Sequence, residues 1–426
     1  MGNTSVTTKI LRFLGTEKGL LTMSAIVALY AFVYQITIGE YIVYDTKSYF
    51  QAYESLRSGI IDDFRTPIYP IFVGIFQNIL KGTPLYATIM LLQIIVFLIS
   101  VHYLYILTKP LRDTKTRYLL TFVYGVIPLI PSWCNIILTE SLAISGSIFY
   151  LYYTINSIKY QLTKYVWLSI LWTLLLIMLR PAFIYLIPLN FFICIILFKK
   201  STKHVIYNGF IGNVIIALIF CGYCYQMKQT YGIFSPSGVS IINKYVIDRE
   251  NIFNTSLIKD KHVKTFIDSL QQENKYTPFQ EAIEIANKLG YERLNNAISD
   301  NRQHMLIDHG IIKRIYATSR CNYSVVAGII PLNFIEPVIP NLASIFIIII
   351  IFSYIILAYI YTHKSIPYTT ITLLFFSIGN ILISIIGGPN DHGRLIMPSF
   401  PAVLLLTGIL IQMIKNKSFL KNEFEE

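Results

Sequence analysis

Charged residues are scarce in this sequence. They make up 14% of its 426 residues, whereas hydrophobic residues make up 54%, and the mean hydropathy is +0.56. A soluble domain has too small an interior to bury this much apolar surface, so the composition excludes a soluble globular protein and requires a lipid bilayer as solvent. Apolar runs of about 20 residues recur along the whole chain, which also excludes a protein with a single membrane anchor.

Charges are also rare within the apolar runs, and cysteines are few. A proton or ion relay across a membrane needs acids or bases in the middle of its helices, and this sequence has almost none there. Of the five cysteines, Cys221 and Cys224 have the spacing of a redox pair. They lie inside a predicted membrane helix rather than between a strand and a helix, so we expect no thiol redox chemistry.

The apolar runs predict an all-α polytopic membrane protein with about ten transmembrane helices. The predicted spans are residues 20–44, 84–107, 118–133, 136–154, 165–179, 182–198, 205–227, 341–362, 366–386 and 395–414. The first run is longer than the core of a signal peptide and lacks a small-residue cleavage site. We therefore predict that it is retained as a helix.

Basic residues are distributed unevenly among the loops, and the net charge is +12. Lys and Arg cluster in alternate short loops and near both ends of the chain, which is typical of cytoplasmic loops that face anionic lipids. The positive net charge is therefore explained by membrane orientation, and we expect no nucleic acid as a partner. It predicts cytoplasmic termini and an integral plasma membrane protein if the source is prokaryotic, or an endoplasmic reticulum protein otherwise.

This topology divides the chain into three parts. Residues 1–227 form an N-terminal transmembrane module that contains the first outer loop, residues 40–83. Residues 228–340 form a mostly helical extracytoplasmic segment between spans 7 and 8, and residues 341–426 form the C-terminal transmembrane helices and a short cytoplasmic tail. The charged residues that do not set orientation then lie on the outer side, where we expect any chemistry.

The first outer loop begins with an amphipathic pattern. Over residues 46–57, two tyrosines and a leucine recur at i, i+4 and i+7, which predicts a helix lying in the membrane interface. Asp45 stands at the N-cap of this helix and Gly59 follows its end.

Several short motifs lie in the outer segments. They are Asp45 followed by Tyr49, then Arg65-Thr66-Pro67-Ile68-Tyr69-Pro70, Thr139-Glu140-Ser141-Leu142, Arg180-Pro181 and Gly393-Arg394. Their order and shared side of the membrane resemble the GT-C superfamily of membrane glycosyltransferases. The likeness is greatest to glycosyltransferase family 39 and its relatives, which transfer mannose or aminoarabinose from dolichyl or polyprenyl phosphate.

The resemblance implies an enzyme that moves a sugar from a polyprenyl-phosphate-linked donor to an acceptor hydroxyl. In that group an acidic residue of the first outer loop deprotonates or orients the acceptor, and Asp45 matches its position. The protein O-mannosyltransferases carry an adjacent Asp-Glu pair there, whereas Thr46 follows here, so a protein acceptor is less favoured than a glycan or lipid. If the reaction requires a divalent cation, Mg²⁺ or Mn²⁺, Asp45 and Glu140 are its expected ligands.

Each charged candidate also has a structural interpretation. Asp45 could cap a helix or act as a base. Glu140 could interact favourably with the positive N-terminus of a helix or orient the acceptor. Arginine binds phosphate with a planar set of donors, although arginines at helix ends also reach towards lipid headgroups. The candidate ligands of the donor phosphate are Arg65, Arg180 and Arg394.

Four further residues are candidate substrate contacts on the same side. Tyr49 and Tyr69 belong to the first loop, where tyrosines are suited to stack on sugar faces. Asp391 and His392 directly precede the Gly393-Arg394 motif and are expected to share its cavity.

Two other classes of protein remain as alternatives. A membrane transporter or lipid flippase predicts polar residues through the middle of the membrane and repeated halves, and the sequence has neither. A polysaccharide polymerase of the O-antigen type would carry its arginines within a large outer loop, whereas Arg180 and Arg394 flank helices. The favoured hypothesis is a glycosyltransferase of cell-envelope glycans, with its sugar and acceptor left open.

Overall fold

The computed structural model describes residues 13–39, 41–43, 45–198, 203–251, 253–273, 275–302, 311–315, 350–355, 368–388 and 392–416. Of these described residues, 82% are helical and none lies in a strand. The all-α prediction is therefore confirmed for this part of the chain.

The helices are labelled here in chain order. The first nine are α1 (Glu17–Ile38), α2 (Thr46–Arg57), α3 (Ile68–Gly74), α4 (Gly82–Leu107), α5 (Thr114–Gly125), α6 (Glu140–Tyr160), α7 (Thr163–Leu179), α8 (Leu186–Phe198) and α9 (Lys203–Tyr231). They are followed by α10 (Val239–Asn251), α11 (Lys261–Glu273), α12 (Pro278–Leu289), α13 (Tyr291–Arg302), α14 (Tyr368–Gly387), α15 (His392–Ile396) and α16 (Phe400–Asn416). Residues 311–315 and 350–355 are also helical.

Five helices in the described ranges are long and apolar enough to cross a membrane. They are α1, α4, α9, α14 and the continuous stretch Arg394–Met413 that contains α16. Shorter apolar helices occur at Thr163–Leu179 and Pro181–Ile195. The chain is thus an integral membrane protein, whereas the number of ten spans stays a prediction. Most of the predicted span 341–362 lies outside the described residues.

The predicted span 118–133 differs from the structure. Helix α5 ends at Gly125, and a short 3-10 helix, Pro131–Asn135, follows within the bundle. Pro128 and Pro131 lie in this stretch, and each removes a backbone N–H donor that a continuing helix would need. The next helix begins at Glu140 rather than at residue 136.

Helix α6 lies at the centre of the membrane part. Its first three turns are almost entirely buried, including Ala143, Ile144 and Ile148, which are inaccessible to solvent. Small residues allow this burial: a Cβ added to Gly146 would lie 2.9 Å from a side-chain carbon of Leu176 in α7. Close approach of this kind is typical of helices packed within membranes. It places the N-terminus of α6, at Glu140, inside the bundle.

Helices α10 to α13 form a second apolar core, the cap, which also takes in residues of the first outer loop. Ile61 is buried within this core and Phe64 packs against it. Tyr231 donates to the carbonyl of Ile61 at 2.6 Å, and the N–H of Gly238 donates to the carbonyl of Asp63 at 2.7 Å. The cap is therefore attached directly to the loop that carries Asp45 and Arg65.

The helical pattern predicted over residues 257–289 is divided in two. Thr277 caps α12 through a capping box with Gln280, and Pro278 occupies the first turn. Because proline is favoured at a helix start and opposes continuation from the preceding helix, α11 ends before it. The second predicted stretch, 292–320, is helical at α13 and at residues 311–315, and its remainder lies outside the described residues.

Candidate active site

Five charged residues from distant parts of the sequence form one continuous chain of ion pairs. Arg65 contacts one carboxylate oxygen of Asp45 at 2.8 Å, and Arg394 contacts the other at 3.1 Å. Arg394 also lies 3.2 Å from Oε1 of Glu140, and Arg180 lies 3.3 Å from the same oxygen. All five were predicted as site residues, and the fold brings them together. They are called the ion-pair cluster below.

Asp45 does not cap α2. Its backbone is in the helical region (φ −71°, ψ −22°), and its side chain makes no capping hydrogen bond. The capping interpretation is therefore wrong, because the carboxylate turns towards Arg65 and Arg394 instead. Burial raises the pKa of Asp45, but the charges of Arg65 and Arg394 and their hydrogen bonds outweigh burial and hold that pKa below its ordinary value. The carboxylate is ionised at neutral pH.

Arg65 is held by the loop around it. The carboxylate of Asp62 accepts from the N–H groups of Phe64 at 2.9 Å and Arg65 at 2.6 Å, which closes a tight turn immediately before the arginine side chain emerges. Its Nε donates to the hydroxyl of Ser48 at 2.8 Å, and its guanidinium lies 4.4 Å from the centre of the Tyr49 ring. These contacts leave the guanidinium little freedom and aim it at Asp45.

Glu140 and Arg180 form the buried half of the ion-pair cluster. Glu140 is the first residue of α6 and is 1% exposed, while the side chain of Arg180 is 11% exposed. Arg180 follows α7 in an extended conformation (φ −146°, ψ 119°), as expected of a residue before proline. An unpaired carboxylate at this depth would be strongly unfavourable, so the two arginines are what allow Glu140 to be buried.

The two first-loop tyrosines lie beneath the ion-pair cluster. Tyr49 and Tyr69 meet edge to face with their ring centres 4.6 Å apart, and Tyr69 is completely buried. The hydroxyl of Tyr69 donates to Gln93 at 2.9 Å, and the amide of Gln93 donates to the carbonyls of Cys134 and Ile136. We therefore assign Tyr69 a supporting role in place of the predicted substrate contact. Tyr49 is 4% exposed and contacts the cluster through Arg65.

Three supporting residues were not predicted. Ser48 accepts from Arg65, Gln93 joins Tyr69 to two backbone carbonyls, and the hydroxyl of Thr66 donates to the carbonyl of Leu179 at 3.1 Å. The sequence could have indicated a role for Gln93. An amide in the middle of an apolar helix of 26 residues is costly unless it forms hydrogen bonds within the protein. Thr66 belongs to the motif that begins at Arg65 but was given no role, and Ser48 gave no indication, since hydroxyl residues are ordinary in a polar loop.

The remaining predicted contacts lie beyond what the structure describes. Asp391 is outside the described residues, and His392 is described only as the first backbone position of α15. Their predicted contact with a substrate stays a prediction.

The described residues of the ion-pair cluster do not match the ligand set of a divalent cation. Among the described residues, no group of three or more His, Cys, Asp or Glu side chains is placed to hold a metal ion. Both carboxylates of the ion-pair cluster are engaged by guanidinium groups, whereas Mg²⁺ and Mn²⁺ favour several free oxygen ligands. We therefore derive no step through a metal at Asp45 and Glu140.

The fold is similar to that of a solved archaeal enzyme. The apo form of the Archaeoglobus fulgidus oligosaccharyltransferase aligns with a TM-score of 0.52 at 13% identity, over 95% of this chain and 52% of that chain. The oligosaccharyltransferase AglB from the same organism, in complex with an inhibitory peptide and a dolichol-phosphate, aligns with a TM-score of 0.50 at 12% identity, over 98% and 53%. No protein-family model and no curated protein matches the chain.

This likeness is one of fold. The chain spans about half the length of the oligosaccharyltransferase chains that it matches. The structure thus shares its fold with part of these chains and carries the ion-pair cluster at one end of its helical bundle.

Proposed function

We propose that this chain is a GT-C type glycosyltransferase that takes its sugar from a polyprenyl-phosphate-linked donor and transfers it to an acceptor hydroxyl at the outer face of the membrane. The observation that carries the proposal is the ion-pair cluster, which joins the first outer loop, the ends of α6 and α7, and the α15 segment at one place. The fold likeness adds support, because one of the similar structures contains dolichol-phosphate.

The charges of the cluster suit a phosphodiester. The five described residues of the cluster comprise three guanidinium groups and two carboxylates, so the cluster is rich in donors suited to phosphate oxygens. A lipid-linked sugar phosphate carries one negative charge between sugar and lipid. Arg394 and Arg180 are the proposed phosphate ligands, since arginine can hold two phosphate oxygens at once. Arg65 supports them from the first loop.

The proposed reaction is a single displacement at the anomeric carbon of the sugar. The acceptor oxygen forms a bond to that carbon as the bond to the phosphate oxygen breaks, and the electron pair of the broken bond leaves with the lipid phosphate. Asp45 accepts the proton of the acceptor hydroxyl. The arginines stabilise the second negative charge that develops on the departing phosphate, and this preorganised stabilisation is the main catalytic effect expected of the site.

The ion pairs that Asp45 forms with Arg65 and Arg394 suggest how it becomes a base when the donor binds. Without donor, Arg65 and Arg394 favour the ionised carboxylate and lower its affinity for a proton. A phosphate bound by Arg394 would compete with Asp45 for that guanidinium. The loss of one cation, in a position where burial disfavours charge, would raise the proton affinity of Asp45 when the acceptor is to be deprotonated. Donor binding therefore precedes activation of the acceptor in this proposal.

The test is transfer from a radiolabelled polyprenyl-phosphate sugar by the purified protein in liposomes. Mannosyl and aminoarabinosyl donors are tried first, with glycan, lipid and peptide acceptors and with water as the default acceptor. Asp45→Asn should lower release of sugar at least a hundredfold while retaining donor binding. Glu54→Gln is the matched control, because Glu54 is an exposed carboxylate of the same loop outside the cluster.

Two results would overturn the proposal. Full activity of the Asp45→Asn variant would remove that residue from the reaction. Absence of sugar release from every polyprenyl-phosphate donor, together with movement of labelled lipid between leaflets, would instead favour a flippase.

A further inference from the structure

A cleft lies at the end of the bundle opposite the ion-pair cluster. Its volume is about 270 Å³, and it is bounded by the C-terminal ends of α4 and α6, the start of α14 and the middle of α16. Glu140 opens α6 and Tyr160 closes it, so the 21 residues of this helix separate the cluster from the cleft. At 1.5 Å per residue this is about 30 Å, the thickness of the hydrocarbon core of a bilayer.

The walls of the cleft are apolar. The buried residues that line it include Leu107, Leu111, Ile155, Leu373, Leu405 and Ile409. Leu111 lies in the loop after α4, and the other five side chains come from four different helices, so the walls are built mainly by the helical bundle. An apolar cleft at the membrane surface is suited to a hydrocarbon chain that enters from the surrounding lipid.

Two lysines lie at the same cleft. Lys109 is exposed just beyond the end of α4, and Lys159 is partly exposed on the last turn of α6. Lys159 lies over the ring of Tyr160, with Nζ 5.5 Å from the ring centre. Among the described residues that line the cleft there is no carboxylate to neutralise either lysine. The site therefore presents two positive charges beside an apolar interior.

Tyrosines surround the mouth of the cleft. Tyr152, which lines it, packs edge to face on Tyr103 with ring centres 4.6 Å apart, and Tyr160 packs near Tyr165 at 5.9 Å. Tyrosine is enriched where a membrane protein meets the lipid headgroups, because its ring is apolar and its hydroxyl polar. The tyrosines beside the lysines are thus typical of the depth at which lipid headgroups lie.

We propose that this cleft is a binding site for one anionic phospholipid, with an acyl chain between the helices and the phosphate at Lys109 and Lys159. The charge of the lysines selects an anionic headgroup over a zwitterionic one, and the apolar walls select a lipid over a soluble phosphate. The site does not depend on the transferase reaction. It lies on the side where the distribution of Lys and Arg predicts the cytoplasm, whose leaflet is rich in anionic lipid.

The experiment is native mass spectrometry of the delipidated full-length protein in a non-ionic detergent. Phosphatidylglycerol and phosphatidylcholine with identical acyl chains are added in turn, and the bound lipids are counted. We expect one phosphatidylglycerol to be retained at a concentration at which phosphatidylcholine is not. The double variant Lys109→Gln/Lys159→Gln should weaken this binding roughly tenfold or more.

The matched control is Lys115→Gln/Lys164→Gln. Both control lysines are exposed at the same end of the bundle and do not line the cleft, and Lys164 lies over Tyr165 much as Lys159 lies over Tyr160. This variant should bind phosphatidylglycerol as the original protein does. A second variant, Leu373→Phe, keeps both charges but fills the cleft and should also weaken binding.

Several outcomes would overturn the proposal. One is equal retention of both phospholipids, and another is equal loss of binding in the control and test variants. Binding of glycerol phosphate as tight as that of the whole lipid would show that no acyl chain occupies the cleft. A tightly retained peptide in place of lipid would assign the cleft to a protein partner.

Discussion

Asp45 and Glu140 share Arg394, and this sharing determines how the ion-pair cluster should behave. Asp45 is partly accessible, with 21% of its side chain exposed, while only 2% of the Glu140 side chain is exposed. The accessible carboxylate is suited to proton transfer with an incoming hydroxyl. The buried one is suited to holding arginines in place, because water does not compete for its oxygens. The two acids therefore have different proposed roles although they contact the same guanidinium.

The pH dependence of transfer tests whether a bound donor phosphate draws Arg394 away from Asp45. In the free enzyme the arginines keep the pKa of Asp45 below its ordinary value despite burial, so kcat/KM should stay constant as the pH falls to about 4. In the proposed complex with donor, the phosphate draws Arg394 away from Asp45, which raises the pKa of Asp45. The acid limb of kcat should then lie at a higher pH than that of kcat/KM. Coincident limbs would contradict the exchange of Arg394 between carboxylate and phosphate.

The buried pair of Glu140 and Arg180 gives a prediction about stability. The Arg180→Gln variant leaves Glu140 with Arg394 as its remaining guanidinium partner in the described cluster, and we expect a loss of about 2 to 3 kcal/mol in the free energy of unfolding. Adding Glu140→Gln should restore part of this loss, because the buried charge is removed. Unfolding in detergent, followed by tryptophan fluorescence, measures both effects.

Arg57→Gln is the control for that measurement. Arg57 is 60% exposed in its side chain and pairs with Glu54 at 3.9 Å, so its loss should cost less than about 0.5 kcal/mol. Equal losses for Arg57→Gln and Arg180→Gln would show that burial of the ion-pair cluster has little energetic importance.

The packing of α2 against α3 positions the first outer loop. A Cβ added to Gly74 in α3 would lie 2.0 Å from the ring of Tyr53 in α2, so the two short helices touch through a glycine and an aromatic face. Asp45 precedes α2 and Arg65 precedes α3. The separation of these helices therefore sets the separation of the first ion pair, and Gly59, in the left-handed region (φ +77°), turns the chain between them.

Substituting Gly74 should disturb this arrangement. Gly74→Ala forces the tyrosine ring away, and we expect a loss of about 1 to 3 kcal/mol in stability together with reduced transfer. Gly222→Ala in α9 is the control, because a Cβ there meets nothing within 4 Å. That variant should be neutral or slightly stabilising, since alanine favours helix more than glycine does. Thermal unfolding and sugar release together check the prediction, which fails if the two variants behave alike.

The whole molecule separates two sites at opposite ends of one bundle. The ion-pair cluster and the attached cap lie at the end where α6 begins, and the lysine-lined cleft lies where α6 ends. The predicted orientation places the first end outside the cell and the second in the cytoplasm. This orientation follows from the loop charges, and it remains a prediction that labelling can test.

Single cysteines report the orientation directly. In a background with Cys221 and Cys321 replaced by Ser, Glu54→Cys should react with a membrane-impermeant maleimide on intact cells. Lys115→Cys should react only after the membrane is permeabilised, because Lys115, in the first turn of α5, belongs to a basic cluster predicted to be cytoplasmic. The opposite labelling pattern would place the ion-pair cluster in the cytoplasm and exclude an extracytoplasmic reaction.

The sequence alone indicated the helical class, the need for a bilayer and the five members of the ion-pair cluster. Hydropathy and loop composition are local properties, so they can be seen without a fold. Asp45, Glu140, Arg65, Arg180 and Arg394 stood out because the motifs that contain them resemble those of the GT-C superfamily in order and in predicted side of the membrane.

Only the tertiary structure decided how these residues pair and which others support them. Asp45 looked equally suited to capping α2, and its true partners, Arg65 and Arg394, lie 20 and 349 positions away along the chain. The burial of Tyr69 on Gln93, the early end of α5 and the lysine-lined cleft likewise depend on contacts between helices that are distant in sequence. Local patterns carry no information about such contacts, because helix packing fixes them only when the whole bundle has formed.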